Sequence, residues 1–564
     1  MRALAAALIW LAALATAHAD GAPKPDYTAI VFHDVVDDRS DLSVDAVTII
    51  ELIRFFDWLK GSGWTVISID DIERAESGAR PLPEKSILLT FDDGYESVYS
   101  KVYPLLLAYR YPAVVAVTGS WMAVPAGDMV SYGTEQVPRS AFLTWDQVRE
   151  MAASGLVEVA SHSYGLHAGI LANPQDNLVP AAATWRYDAA TKSYEVDAAY
   201  RKRIREDLAA ARGQIERELG APPRTLVWPF GRRTGPAAEE AETLGFTHQL
   251  TLYEAPNTLR HASAINRFYP SQNPKLADLA SALGFDVPMA ETKRVVCFAL
   301  DELGAAPDAE EAEERLGCMI DTAYAAGANI VVLDVAGVPP VAPTGIDILS
   351  HAVWQIRGRV GAEVYLRVPV QGIAEPAGLY GDVFRRARAD GLVLDASPAL
   401  LAAGSGDPAE PSSAPAEVQK RRAALDMSQL APSDRATMQL FAAASSIEPD
   451  LKLMLVTTAP ISPTGWPAPV ADLLLLPPVA PARLDETLLA IERANWLTPT
   501  QAPRVVITVP TGSPAAVAHA TRTAQAHGAT ALAICPTAGT PQLTPEEASI
   551  VSSAFSSRTL PLGQ

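Results

Sequence analysis

Short apolar runs alternate with amphipathic segments throughout this chain, and this alternation constrains the fold more than any other feature. In the first half, the runs 29–32, 87–91, 113–118, 157–160 and 225–228 have the length of buried strands. Amphipathic segments such as 49–60 and 200–219 lie between them. Strands that alternate with helices are typical of a parallel sheet covered by helices. The first half is therefore predicted to be an α/β fold.

The second half contains eight strand-like runs, and helical patterns separate most of them. The runs are 295–300, 330–335, 363–368, 392–394, 453–456, 473–476, 505–509 and 531–534. Eight strands that alternate with helices predict a (β/α)₈ barrel. A doubly wound open sheet is the alternative, and periodicity alone leaves it open.

The change of pattern near residue 293 divides the chain into four predicted parts. Residues 1–19 are a targeting segment, 20–275 the first domain, 276–292 a bridging segment, and 293–564 the second domain. The targeting segment has Arg2, an apolar run and a small-x-small site at Ala17-His18-Ala19. We therefore expect export to the periplasm or the medium, without a lipid anchor because no Cys follows the segment, and without a later membrane span.

Composition and charge restrict the partners of the chain. The 564 residues are 49% hydrophobic, which is enough to build large cores. The formal net charge of −20 argues against a nucleic-acid partner, since phosphate binding needs a basic surface. The three cysteines are an odd number, so they cannot all pair. One disulfide bond, such as Cys297 with Cys318, and three buried free thiols, including Cys535, are both compatible with the sequence, and we predict no particular pairing.

The motif Thr90-Phe91-Asp92-Asp93-Gly94 follows an apolar strand. Its two carboxylates are therefore expected at the carboxyl end of that strand, where α/β sheets place ligand chemistry. One carboxylate can bind a metal while its neighbour accepts a proton from water. The same letters also occur in ordinary turns, so the motif needs a second signal.

That second signal is a pair of histidines after another predicted strand. His162 and His167 are five residues apart and follow the run 157–160. Two imidazoles and one carboxylate form a metal site that leaves coordination positions open for water and substrate. The pattern predicts a catalytic metal site, with Zn²⁺ as the first expectation and Co²⁺, Ni²⁺ or Fe²⁺ as alternatives.

Together these motifs resemble those of the NodB-type polysaccharide deacetylases, and among them the poly-β-1,6-N-acetyl-D-glucosamine N-deacetylases of biofilm systems. The resemblance also includes Phe32-His33-Asp34-Val35, Trp228-Pro229-Phe230-Gly231 and Ile265-Asn266-Arg267-Phe268. It implies a deformed (β/α) barrel followed by a (β/α)₈ barrel similar to glycoside hydrolases. The implied activity is hydrolysis of N-acetyl groups on an exported polysaccharide.

The resemblance also implies roles for individual residues. Asp93, His162 and His167 would hold one divalent metal ion, Asp92 would be the general base, and His33 would be a candidate general acid. The backbone N–H of Phe230 is a candidate oxyanion donor. Either Arg232 or Arg267 could orient Asp92, and the sequence does not choose between them. The candidate sugar-stacking aromatic residues are Trp121, Tyr132, Trp145 and Trp228.

The second half matches the resemblance only in part. Asp301, Asp334 and Asp395 lie at the carboxyl ends of predicted strands, where a glycosidase would carry its carboxylates. The adjoining loops contain few aromatic residues to hold a sugar chain. We expect a domain that binds polymer or cleaves it weakly, or one that supports the first domain. Membrane-associated export machinery is a partner expected by analogy only.

Two kinds of alternative to the leading function stay open at this point. The reaction could be the same on a chitin-like polymer, peptidoglycan or another acetylated exopolysaccharide. The chain could also be a non-catalytic carbohydrate-binding or export scaffold. The presence of Asp93, His162 and His167 together favours an enzyme over a scaffold.

Overall fold

A computed structural model describes most of the chain. The described residues are 26–39, 43–253, 257–259, 264–283, 292–336, 347–370, 376–402, 422, 425–456, 470–494, 496–497, 502–509, 513–535, 548–549 and 552. The predicted targeting segment, 1–19, lies outside these residues, as does part of the predicted bridging segment. The domain boundaries therefore stay predictions. No helix in the described ranges is both long and apolar enough to cross a membrane.

The first half forms an eight-stranded parallel sheet that nearly closes into a barrel. Its strands are Thr28–Phe32, Thr65–Ile67, Ser86–Phe91, Ala113–Val117, Val157–Ser161, Thr225–Val227, His248–Thr251 and Ile265–Asn266. Two backbone hydrogen bonds, from the N–H of Val31 to the oxygen of Phe268 and from the N–H of Phe268 to the oxygen of Ala29, are both 2.9 Å long. They bring the end of the sheet back to its first strand, so the deformed barrel that the resemblance implies is confirmed.

Helices cover the outside of this sheet. They are Ile49–Gly61, Ile69–Glu76, Tyr103–Tyr109, Gly119–Met122, Trp145–Ala153, Asp197–Leu219, Gly235–Thr243 and Leu276–Ala282. The helix Trp145–Ala153 begins at a capping box, in which Thr144 and Gln147 satisfy each other's backbone N–H groups. The helix Asp197–Leu219 ends at Gly220, which has a φ of 79° and so adopts the left-handed conformation common after helices. Local sequence thus sets the ends of these helices.

Three short antiparallel strand pairs lie outside the sheet of the first barrel. They are Met129–Tyr132 with Glu135–Pro138, Gly169–Leu171 with Leu178–Pro180, and Tyr187–Asp188 with Ser193–Tyr194. A further short pair, Val35–Val36 with Val47–Thr48, is parallel. None of these pairs belongs to the barrel sheet. The first pair brings an aromatic residue to the candidate site described below.

The second half is a closed barrel of eight parallel strands. These strands are Lys293–Ala299, Ile330–Asp334, Glu363–Arg367, Gly391–Asp395, Lys452–Val456, Leu473–Leu476, Val505–Thr508 and Ala531–Ile534. The first strand pairs with the last, with Lys293 opposite Ala531, so the open-sheet alternative is wrong. The barrel interior is filled by apolar side chains, among them Val295, Val332 and Met454. The (β/α)₈ prediction is therefore confirmed.

The helices of the second barrel pack their apolar faces against the strands. They are Asp301–Gly304, Ala309–Ala325, Ile348–Val360, Pro376–Ala387, Pro398–Ala402, Pro432–Ile447, Leu484–Arg493 and Pro514–Ala526. The last of these begins as the sequence predicts, with Ser513 accepting a hydrogen bond from the N–H of Ala516 and Pro at the first helical position. A single large cluster of buried residues lies between these helices and the strands.

Polar and charged contacts join the two barrels. Arg232 and Arg233 of the first barrel lie 3.6 Å from Asp390 and 3.7 Å from Asp450, respectively. The Tyr194 hydroxyl donates a hydrogen bond of 2.6 Å to Asp347 of the second barrel. Asp390 and Asp450 come just before strands of the second barrel, and Asp347 comes just before its helix Ile348–Val360. The interface therefore includes the starts of two strands and the start of one helix.

A disulfide bond connects the first and last strands of the second barrel. It joins Cys297 to Cys535, whose Cα atoms are 4.6 Å apart, while Cys318 is an exposed free thiol. The sequence left one disulfide bond and three buried free thiols open, and the structure has one bond, in which Cys297 pairs with Cys535 and not with Cys318. The two bonded residues are 238 positions apart, and only closure of the barrel makes them neighbours. The bond therefore locks the seam of the barrel.

We predict that the double variant Cys297→Ala/Cys535→Ala unfolds at a lower urea concentration than the wild type. A bond that closes so long a loop restricts the unfolded chain, which corresponds to about 5 kcal/mol in the chain-entropy model. Urea unfolding followed by circular dichroism measures the loss. Cys318→Ala is the control and should unfold like the wild type. Equal midpoints for all three proteins would contradict a stabilising role for the bond.

Candidate active site

The side chains singled out in the sequence meet at the carboxyl edge of the first barrel. Asp92 and Asp93 follow the strand Ser86–Phe91, and His162 follows the strand Val157–Ser161. His33 and Arg267 come directly after two other strands of the same sheet. Parallel strands deliver the residues at their carboxyl ends to one edge, which is where α/β proteins bind ligands. The topology alone thus explains how residues far apart in sequence come together.

Asp93, His162 and His167 converge on one point. The Nε2 atoms of His162 and His167 lie 3.2 and 3.3 Å from Oδ1 of Asp93, and the three potential ligand atoms all lie within 4.8 Å of one another. The exposed fractions of the Asp93, His162 and His167 side chains are only 1, 2 and 9%. Solvent therefore does little to satisfy these groups.

Hydrogen bonding shows that a cation fits this set. Nδ1 of His162 lies 2.9 Å from the carbonyl oxygen of Val227, which can only accept, so Nδ1 carries the proton. In the neutral ring, Nε2 then presents a lone pair to the Asp93 oxygen, which is itself buried and has no hydrogen-bond donor among the described residues. Lone pairs that face each other at this distance repel unless a cation lies between them. The three residues are therefore suited to hold a divalent metal ion.

Asp92 is held apart from this set by a buried arginine. Nη1 and Nη2 of Arg267 each donate a hydrogen bond of 2.8 Å, one to each carboxylate oxygen of Asp92. Nη1 also donates to Oγ1 of Thr90, and Nε donates to the carbonyl oxygen of Thr251. The Arg267 side chain is completely buried and that of Asp92 is 3% exposed. This is the two-pronged geometry in which an arginine recognises a carboxylate.

The ion pair keeps Asp92 ionised. Burial alone raises the pKa of the Asp92 carboxyl, but the charge and hydrogen bonds of Arg267 outweigh burial and hold the pKa below its ordinary value. Asp92 is therefore a carboxylate at neutral pH. Of the two arginines that the sequence left open, Arg267 contacts Asp92, while Arg232 has a half-exposed side chain near Asp390 of the second barrel.

His33 and Phe230 lie at the same edge. The His33 ring packs edge-on against Tyr269 with the ring centroids 5.3 Å apart, and its Nδ1 has no hydrogen-bond partner among the described residues. The Phe230 ring is 44% exposed and its centroid lies 4.4 Å from that of His167. Phe230 has a φ of 57°, a left-handed conformation that is unusual for a residue with a side chain. The loop therefore presents Phe230 beside the proposed metal ligands.

The prediction that Trp228 stacks on a sugar is wrong. The side chain is fully buried in a cluster with residues such as Tyr200 and Phe246. Its indole N–H donates a hydrogen bond of 2.9 Å to Gln249. A ring that is enclosed on all sides has no face for a ligand. Trp228 is a core residue that anchors the start of the Phe230 loop.

The remaining aromatic candidates have different surroundings. Trp145 packs against the hydrophobic core, and Trp121 is 5% exposed with its ring 4.8 Å from that of His167. The hydroxyl of Tyr132 donates a hydrogen bond of 2.8 Å to Oδ2 of Asp93. The sequence named Tyr132 only as a stacking aromatic, because nothing in its spacing links an added hairpin to the carboxylate motif.

The carboxylates proposed for the second barrel are paired with an arginine. Arg367 lies 3.9 Å from Asp334 and 3.6 Å from Asp395, and all three side chains are at least one third exposed. Asp301 begins a short helix and is exposed. Exposed ion pairs of this kind contribute little to stability. The structure thus places Asp334 and Asp395 at one rim without giving either a buried, catalysis-like environment.

Comparison with known proteins agrees with this site. Residues 79–248 match the family model of polysaccharide deacetylases. The chain is 34% identical over 361 residues to the poly-β-1,6-N-acetyl-D-glucosamine N-deacetylase of Escherichia coli strain K12. The aligned region covers 62% of this chain and 53% of the Escherichia coli protein.

Two solved structures also match, each over less than half of this chain. A de-N-acetylase of Aggregatibacter actinomycetemcomitans is 36% identical, with a TM-score of 0.43. The aligned region covers 45% of this chain and 99% of the Aggregatibacter chain. The BpsB deacetylase domain of Bordetella bronchiseptica is 41% identical, with a TM-score of 0.40. The aligned region covers 43% of this chain and 96% of the BpsB domain.

The matched region contains Asp92, Asp93, His162 and His167, so both carboxylates and both histidines lie within a polysaccharide deacetylase domain. The chain belongs to the polysaccharide deacetylase family. It spans about half the length of the Escherichia coli relative, 53%.

We predict that Arg267→Ala destabilises the protein by about 3–5 kcal/mol, because it leaves the buried Asp92 carboxylate without its partner. Denaturant unfolding measures the loss. Arg232→Ala is the matched control, since it removes a half-exposed ion pair worth about 0–1 kcal/mol. A similar small loss for both variants would show that the Arg267–Asp92 pair is not the buried anchor that its contacts indicate.

Proposed function

We propose that the first barrel hydrolyses N-acetyl groups of exported poly-β-1,6-N-acetyl-D-glucosamine, releasing acetate and leaving glucosamine units. The observation that carries the proposal is the separation of two adjacent carboxylates. Asp93 faces His162 and His167, while Asp92 is ionised on Arg267 and stays outside that set. One group can therefore hold a metal ion while its neighbour accepts a proton.

The metal would be held by Asp93, His162 and His167. Zn²⁺ suits these ligands best, with Co²⁺, Ni²⁺ and Fe²⁺ as alternatives. When bound, it would polarise the acetamide carbonyl and lower the pKa of water, which is the chemistry that such ions supply in amide hydrolysis. Because three protein ligands leave coordination positions open, the site is of the catalytic rather than the structural type.

The residues of the chain would perform the proton transfers. Asp92 accepts a proton from the attacking water, and the fixed fork of Arg267 holds its carboxylate in place. The backbone N–H of Phe230 donates to the oxyanion as the new C–O bond forms. His33, in its protonated form, gives a proton to the nitrogen as the C–N bond breaks. Each acetamide thus consumes one water molecule and gives one acetate and one free amine.

Three further observations support a polysaccharide substrate. The exposed Phe230 ring beside His167 offers an apolar face to a sugar, and the Escherichia coli relative is named for this polymer. The net charge of −20 also suits a polymer that gains amino groups as it is processed. A chitin-like polymer or peptidoglycan would undergo the same reaction, whereas a non-catalytic scaffold would not require an ionised Asp92 beside a metal-binding set.

For the second barrel we propose polymer binding, with weak cleavage or none. Asp334 and Asp395 lie at its carboxyl rim, but each is near the Arg367 guanidinium. Both carboxylates are at least one third exposed, whereas a glycosidase acid usually lies in an enclosed, apolar pocket. The acidic rim suits the amino groups of a deacetylated product. Export of the chain to the periplasm or the medium, and contact with export machinery, belong to the same proposal.

We predict that Asp92→Asn lowers kcat about 10²–10⁴-fold, because an amide cannot accept the proton of the attacking water. The assay measures acetate and free amine released from β-1,6-linked N-acetylglucosamine oligomers. Wild-type release should disappear with a chelator and return with Zn²⁺. Metal content and the unfolding midpoint of the variant control for loss of the site or the fold.

Each outcome of this assay has a distinct meaning. Full activity in the variant would contradict the role of Asp92. Absence of release by a wild type that binds metal stoichiometrically would contradict the proposed polymer, and the same assay on chitin oligomers and peptidoglycan would then identify the substrate. Release that a chelator does not affect would contradict the metal-dependent mechanism.

A further inference from the structure

The two oxygens of the Asp93 carboxylate have different partners. Oδ1 faces the Nε2 atoms of His162 and His167 at 3.2 and 3.3 Å. Oδ2 accepts a hydrogen bond of 2.8 Å from the hydroxyl of Tyr132. One oxygen thus points to the proposed metal position, while the other is engaged by a neutral donor. The mechanism proposed above makes no use of this tyrosine.

We propose that Tyr132 is a positioning residue that restricts Asp93 to binding a divalent cation through Oδ1 alone. The inference rests on the metal-binding role proposed above for Asp93, His162 and His167. A carboxylate oxygen that accepts a hydrogen bond shares its negative charge with the donor and is a weaker ligand than its free neighbour. Partners of this kind orient metal-bound carboxylates and tune the affinity of a site.

The hairpin that carries Tyr132 fixes the direction of its hydroxyl. Tyr132 ends the strand Met129–Tyr132, and its partner in the pairing is Glu135. Gly133, with a φ of 59°, adopts the left-handed conformation at the tight turn between them. Next to the hairpin, the buried Arg139 guanidinium donates to the carbonyl oxygens of Phe142 and Leu143 at 3.0 and 2.8 Å. These bonds fix the turn after the hairpin, and the N–H of Leu143 donates a hydrogen bond of 2.8 Å to the carbonyl oxygen of Gly94, next to Asp93.

Ring contacts hold Tyr132 from several sides. Its ring centroid lies 5.1 Å from that of Trp121, 5.8 Å from that of His167 and 6.1 Å from that of Tyr95. The phenol therefore contacts one proposed ligand through its ring and another through its hydroxyl. Because these contacts restrain both residues, they reduce the cost of ordering the ligand set when a cation binds.

Single-oxygen binding by Asp93 has a consequence for catalysis. If both oxygens bound the ion, one more coordination position would be filled by protein, leaving fewer for water and the acetamide oxygen. The Tyr132 hydroxyl thus keeps the site open. It also favours a low coordination number, which matches the usual geometry of Zn²⁺.

Tyr132→Phe tests the inference, because it removes the hydroxyl and keeps the ring in its cluster. We expect the Zn²⁺ dissociation constant, measured by competition with a chelating dye, to rise about 10–100-fold. We also expect the visible absorption of the Co²⁺-loaded variant to weaken, as it does when the coordination number of Co²⁺ increases. The unfolding midpoint of the metal-free variant should stay close to that of the wild type.

Tyr99→Phe is the matched control. The Tyr99 hydroxyl also donates a hydrogen bond of 2.8 Å to a carboxylate, that of Glu150, but on the exposed surface and away from the site. Its metal affinity and Co²⁺ spectrum should equal those of the wild type. Equal changes in both variants would overturn the inference, because a general effect of losing a phenol would explain them.

The experiment separates this inference from the proposed function. If the wild type binds Zn²⁺, His167→Ala abolishes binding and Tyr132→Phe changes neither affinity nor spectrum, only the role of Tyr132 is overturned. If His167→Ala leaves Zn²⁺ binding intact, the metal-binding set itself is wrong, and the inference fails with it.

Discussion

The buried ion pair between Arg267 and Asp92 is the interaction on which both the fold and the site of the first barrel depend. Arg267 follows the last strand of the sheet and Asp92 follows a strand next to the first one, so the pair spans the seam of the barrel. Two buried charges are tolerated only when each is fully hydrogen-bonded. Thr90 and Thr251 supply the remaining acceptors for the guanidinium. The side-chain bonds that span the seam thus also hold the proposed base in its ionised form.

Backbone conformation directs the two adjacent carboxylates to different partners. Asp93 has a φ of 68° and Gly94 a φ of 72°, so the chain turns sharply just after the strand. The turn sends Asp92 towards Arg267 and Asp93 towards the two histidines. The left-handed backbone conformation costs free energy for an aspartate, and residues in such conformations are concentrated at functional sites. A Cβ at position 94 would lie only 3.2 Å from the Val117 side chain, so glycine suits this close approach.

The sequence predicted those features that follow from strand order. Buried runs that alternate with helices indicated two barrels, and motifs directly after strands indicated that Asp92, Asp93, His162, His167 and His33 would meet at one edge. It did not resolve features that depend on three-dimensional packing. Arg232 and Arg267 both lie near a strand end, and only the register of the last strand decides which one reaches Asp92.

Trp228, Tyr132 and the cysteines show the same limit in other ways. An indole at a strand end looks similar in sequence whether it is enclosed or exposed, and Trp228 proved to be enclosed. Tyr132 lies on a hairpin outside the barrel pattern, so no periodicity connects it with Asp93. The Cys297–Cys535 bond depends on barrel closure over 238 residues, which no local spacing reveals.

The most direct test of the division between the two carboxylates is a crystal structure of the Zn²⁺-loaded protein, with the ion located by its anomalous scattering. We predict one strong peak about 2.0–2.2 Å from Oδ1 of Asp93 and the Nε2 atoms of His162 and His167. Asp92 should remain on Arg267, outside the coordination sphere. A metal ion bound by Asp92, or a peak away from the three ligands, would contradict this division of roles.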